Sequence, residues 1–116
     1  MLYCRWTYQK ADRGKVQLRV LLVAPRVQLP IDTRSSPPLG LAYLAAISER
    51  RGDEVRVYDG NVERESLEAV VEAFRPHVVG ISANTIQVQS SWRDAALIRA
   101  RSDAAVVLGG PHPSIL

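Results

Sequence analysis

The chain has 116 residues, enough for one domain, and 47% of them are apolar, an ordinary content for a packed core. Its net charge of +3 belongs to residues 1–17, where Arg5, Lys10, Arg13 and Lys15 face only Asp12; from Leu18 onward eleven arginines meet eleven acids. A neutral body argues against a nucleic-acid face, and no apolar run nears the ~20 residues of a membrane span.

In chain order, residues 1–17 show neither helical nor strand periodicity and read as a flexible leader. Their mixed charge and aromatics lack the apolar stretch of a secretory signal, so a cytoplasmic protein is expected. Cys4 is the single cysteine, which excludes a disulfide framework, a thiolate zinc site and a Cys-ligated iron–sulfur cluster within this chain. The regular body starts at LRVLLVA (18–24), a continuous apolar run of the kind covered on both faces. A loop with four prolines, 25–38, leads to LGLAYLAAISERRG (39–52), where Leu41, Leu44, Ala45 and Ser48 fall at helical spacing. Ser36 is placed to cap this helix, Pro37 suits its first turn, and Gly52 closes it.

DEVRVYD (53–59) sets Val55 and Val57 against Glu54, Arg56 and Tyr58, the alternation of a strand near the sheet edge. ESLEAVVEAFR (65–75) carries Leu67, Val70, Val71 and Phe74 on one helical stripe, ended by Pro76. HVVGISA (77–83) reads as the next buried strand. VQSSWRDAALIRAR (88–101) reads as a third amphipathic helix with Val88, Trp92, Ala95 and Ala96 inward, and AAVVLGG (104–110) as a fourth strand. This β-α-β-α-β-α-β order predicts a doubly wound, three-layer α/β fold with parallel strands, for which we choose the strand order 2-1-3-4. Ligands of such sheets bind outside the carboxyl ends of the strands, here segments 25–40, 59–64, 83–88 and 109–114.

Several chemistries are excluded at that edge. No GxGxxG follows the first strand and no GxxxxGK[ST] occurs, so dinucleotide and P-loop fingerprints are missing. The acidic cluster and strand-three Asp of a phosphoacceptor receiver are replaced by Ala24-Pro25 and Ser82-Ala83, and a flavodoxin-type hydroxyl-rich loop is absent. What remains is a binding rim. Gly109-Gly110 either lets a flat ligand approach the backbone or simply ends the strand in a turn. Ser82, Asn84 and Thr85 either donate to a ligand or cap the following helix. Gly40 leaves its helix terminus uncrowded, with N–H groups able to meet a polar group. His77 starts strand three on the opposite edge and reads as structural. His112, in GGPHPS, either contacts a ligand or ion or is a solvated loop residue. With Asp32 and Asp59 it assembles no Ser/His/Asp or paired-carboxylate constellation.

Taken jointly, VLLVAP, SPPLGLAYLAA, GDEVRVYDGN, FRPHVVGISANT and AAVVLGGPHPS resemble the N-terminal cobalamin (vitamin B12)-binding-type domain of radical S-adenosylmethionine enzymes, over residues 18–114. The resemblance implies cobalamin as cofactor, its corrin over the carboxyl ends and its nucleotide tail beside the sheet. Ser82 and Thr85 would then face tail or corrin edge, Gly109 and Gly110 would line the tail pocket, and Gly40 would lie beneath the corrin. The DxHxxG motif is absent, so no protein His is expected as lower ligand; the catalytic CxxxCxxC is absent too. The missing CxxxCxxC implies a module without its catalytic iron–sulfur domain, and four of the family's five strands imply an incomplete sheet, so the expected partner is such a domain or a second chain that completes the sheet. The alternatives are a degenerate domain of this fold that binds no cofactor and serves as a protein-contact scaffold, and a small enzyme using His112 and Asp59.

Overall fold

A computed structural model describes residues 17–26, 38–83 and 88–110. The leader up to residue 16, Asp32, Ser36, Pro37, Asn84, Thr85 and His112 lie outside these described residues. Among the described residues four strands, β1 (Arg19–Ala24), β2 (Glu54–Asp59), β3 (Val78–Ser82) and β4 (Ala105–Gly109), alternate with three helices, α1 (Leu39–Arg50), α2 (Leu67–Phe74) and α3 (Val88–Arg101). All strand pairs are parallel, as the alternation predicts, and their order is β2-β1-β3-β4, the one chosen from the sequence.

Period-two side-chain alternation splits the core into two layers. Leu21, Val23, Val79 and Ile81 face α2 and α3, where Leu67, Val70, Val71, Ala95 and Ile98 complete the larger cluster. Leu22 and Ala24 face the other way and pack on Leu41 of α1, with Val55, Val57 and Ala45 around them. Three helices thus make a three-layer sandwich, but coverage is unequal. The α1 helix lies over β1 and β2 alone, so its face of β3 and β4 carries no helix among the described residues.

Local chemistry sets the helix ends. At the start of α2 the Ser66 hydroxyl accepts from the Ala69 amide at 3.2 Å, and Glu68 sits favourably in the first turn. The same helix ends at Arg75 in the left-handed region (φ 52°), whose carbonyl accepts from Arg19 Nε at 2.7 Å. After α1, Gly52 (φ 94°) makes a Schellman stop: its amide donates to Glu49 O and that of Asp53 to Ser48 O. Pro38 stands at the cap position of α1 with no side-chain cap.

Three expectations need correcting. Trp92 and Ala96 do not point inward: Trp92 is 63% exposed, and the buried positions of α3 include Ser91, Ala95 and Ile98. The buried stripe follows Ser91, whose hydroxyl donates to Ser82 O at 3.3 Å, a polar contact that an apolar pattern does not register. Leu44 is 54% exposed because it flanks a cavity instead of the sheet. Tyr58 is buried, since β2 has a helix layer on each face and the Tyr58 hydroxyl donates to Glu65 O at 2.8 Å.

Candidate binding site at the carboxyl edge

The strand ends are held together by backbone. Ser82 pairs in register with Gly109, and the Ala83 amide donates to Gly109 O at 2.7 Å. Gly110 then turns with φ 104°; a Cβ there would stand 2.7 Å from Ala83 O. Its glycine is therefore required by close packing between the β3 and β4 tips. Gly109 differs, since a Cβ on it would meet nothing within 4 Å, and the same holds at Gly40.

Those open positions border one cavity of about 300 Å³ between α1 and the uncovered half of the sheet. Its walls are Leu22 from β1, Gly80 and Ser82 from β3, Val107, Gly109 and Gly110 from the β4 side, and Pro38, Gly40, Leu41 and Leu44 from α1 and its entry. Of the residues singled out in the sequence, Gly40, Ser82, Gly109 and Gly110 are brought together here; Thr85 and His112 lie outside the described residues. Sequence reasoning missed Gly80 and the apolar Leu22, Leu44 and Val107. A glycine inside the apolar run VVGIS was a usable signal, because a strand glycine often marks a close approach. At Gly80 a Cβ would come 3.1 Å from Leu22 Cδ2, so the missing side chain deepens the floor.

The cavity is mostly apolar with one hydroxyl, Ser82, on its wall, the usual make-up of a small-molecule site. Among the described residues no group of three or more His, Cys, Asp or Glu is placed to hold a metal ion. The opposite, amino edge is structural: the Arg19 amide donates to His77 Nδ1 at 2.9 Å, and the His77 amide returns a bond to Arg19 O.

An open parallel sheet in 2-1-3-4 order, with a largely apolar slot beside its strand ends, defines an α/β ligand-binding module. The particular family follows from comparison: the model of the B12 binding domain matches residues 34–116, and the chain belongs to that family. Cobalamin is the ligand this membership implies. An uncharacterized methyltransferase of Pyrococcus horikoshii is 32% identical over 102 residues, which is 82% of this chain and 22% of that protein. The chain thus spans about a fifth of the relative's length. No solved structure matches. No helix among the described residues is long and apolar enough to cross a membrane.

The residues present fit the group. Glycines at 40 and 109 leave space that a Cβ would enter without meeting protein, and Gly80 lowers the floor between them, so the slot is shaped by absent side chains. Such a slot suits an elongated group that lies against backbone.

Proposed function

We propose that residues 18–116 form the cobalamin-binding module of a larger enzyme of the radical S-adenosylmethionine type, a methyltransferase or cyclase, with the chemistry residing in a separate catalytic domain or chain. The observation that carries the reading is the cavity whose walls collect Gly40, Gly80, Ser82 and Gly109 at the carboxyl edge of a B12-binding-family sheet. The methyltransferase part is supported by the name of the Pyrococcus horikoshii relative, and the radical type by the PPLGLAYLAA and VVLGGPHPS segments.

In this reading the nucleotide tail lies in the cavity against Gly80 and Gly109, with the Ser82 hydroxyl as its polar contact. Gly110 keeps the β3 and β4 tips together, and Gly40 leaves the entry beside α1 open. Thr85 and His112 belong to the same contact set by their positions in the chain. The bound cofactor supplies a redox-active cobalt centre. The loop 25–38 contains no histidine, so this segment supplies no imidazole beneath the cobalt. The chain's own part is to bind, orient and shield the corrinoid.

The test is direct. The purified chain is mixed with hydroxocobalamin and desalted, and corrin absorbance is expected to travel with the protein in about equimolar amount. Protein that emerges free of corrin contradicts the reading and favours the scaffold alternative.

A further inference from the structure

The carboxyl edge has a second cavity, of about 360 Å³, on the α2 and α3 side of the sheet. It opens between the first turns of these helices, beside the ends of β1 and β2. Gly60 fixes its floor: the Gly60 amide donates to Ala24 O at 2.8 Å, and a Cβ there would sit 2.8 Å from the Arg26 amide nitrogen. The chain leaving β1 is thereby pressed against the chain leaving β2, with Arg26 at the cavity wall.

The chemistry here is opposite to that of the apolar slot. Arg26 and Arg93 bring guanidiniums, Glu63 and Asp94 bring carboxyls, and Ser90 brings a hydroxyl. Glu65 is also on the wall, drawn toward Arg56 at 3.6 Å. The Tyr58 phenol, pushed up by burial and by Glu63, Asp94, Glu68 and Glu65, stays protonated and donates to Glu65 O. Asp94 is the unusual member. Burial pushes its carboxyl up to about 6, with Arg93 opposing and Glu68 adding to the rise. Among the described residues no hydrogen bond or ion pair of that carboxyl offsets the burial. A carboxyl held part-buried at a cost, in a cavity beside guanidiniums, is the pattern of a binding position.

A guanidinium only donates and a carboxylate only accepts. Set side by side they match a ligand group that presents an acceptor oxygen and a donor N–H together, which is a primary carboxamide. We propose that this second cavity holds carboxamide arms of the corrin ring, Arg93 donating to the amide oxygen and Asp94 accepting from the amide N–H. The inference rests on the cobalamin reading and names further contacts for it. The corrin periphery carries acetamide and propionamide arms, and both cavities open on one row of strand ends, β2 to β4, about 14 Å across at the usual strand spacing.

The experiment uses the whole chain and two tail-less corrinoids, aquacyanocobinamide with its amide arms and aquacyano heptamethyl cobyrinate, in which esters replace them. At pH 7.5 the amide form is expected to bind about tenfold more tightly, the effect of one hydrogen bond to a charged group. Asp94→Asn should remove most of that preference and leave the ester's affinity unchanged, whereas Arg93→Gln, whose partner is a carbonyl oxygen that both corrinoids carry, should weaken both by a similar factor. Cobinamide affinity of the unaltered chain should also fall as pH drops through about 6 toward 5, where Asp94 is protonated, and the Asn variant should lack that fall. Equal affinity for the two corrinoids, or variants that bind cobinamide like the unaltered chain, overturns this inference and leaves the cobalamin reading standing. Failure of the unaltered chain to bind any corrinoid overturns both.

Discussion

Two adjacent glycines at the end of β4 do different work, and the difference can be measured. Gly110 has φ 104° and no room for a Cβ beside Ala83, so Gly110→Ala should lower stability by about 1–3 kcal/mol in urea unfolding. Gly109→Val adds its side chain to open cavity space; it should leave the unfolding midpoint nearly unchanged and weaken hydroxocobalamin binding at least about tenfold. A Gly109→Val chain that binds as tightly as the original would remove the tail from this cavity. Asp94 gives a second test at this scale. Its folded value, about 6, lies above the ordinary 3.8, so the folded state holds a proton that the unfolded state has released between these values. This group's contribution to stability is therefore present below about pH 4, falls as pH rises to about 6, and stays low above that. Asp94→Asn should make the chain more stable at pH 7 by about 1 kcal/mol, well below full conversion of the shift because solvent screens the part-exposed carboxyl. The gain should vanish near pH 4; a gain that persists there would contradict the cause given.

At the scale of elements, α2 is the best-specified segment. Ser66 caps it, Glu68 complements its dipole, and Leu67, Val70 and Val71 bury one stripe. Ser66→Ala should cost about 1 kcal/mol in thermal or urea unfolding through loss of the bond to the Ala69 amide. This helix and all four strands were legible in the sequence, because apolar runs and three-to-four spacing report burial when burial is apolar. The α3 helix was rotated in that reading because one of its inward residues is Ser91, held by a hydrogen bond to the β3 tip. In α1 the stripe Leu41, Leu44, Ala45 and Ser48 was read from helical spacing; Leu41 is buried, whereas Leu44 lines the slot and is 54% exposed. Strand ends located Ser82 and Gly109 in advance, since topology alone places them at one edge. The second cavity was not legible: Arg26, Glu63 and the Arg93–Asp94 pair come from three separate segments, each ordinary alone.

On the scale of the whole molecule, the two flanks of the sheet are unlike. The β2 flank is lined by the part-polar strand EVRVYD, whereas β4 is AVVLG, an edge without charge or proline. Val107 is 52% exposed on its α1 face. Trp92 lies on the flank of α3 away from Arg101, which pairs with Glu72 of α2 at 2.9 Å, and so on the β4 side. An uncharged edge bordered by apolar side chains is a template for pairing, and the chain by itself should associate as its concentration rises. Val107→Lys should suppress that association in sedimentation velocity without unfolding the chain; unchanged association would place the contact elsewhere.

The central claim is that the slot between α1, β1, β3 and β4 receives cobalamin. Amide chemical shifts of the isotopically labelled chain, recorded during titration with hydroxocobalamin, report on that claim residue by residue. The account predicts that Gly40, Gly80, Ser82 and Gly109 move first and furthest, while Arg19, Arg75 and His77 at the amino edge stay in place. Shifts centred on the amino edge, or none at saturating corrinoid, would contradict it.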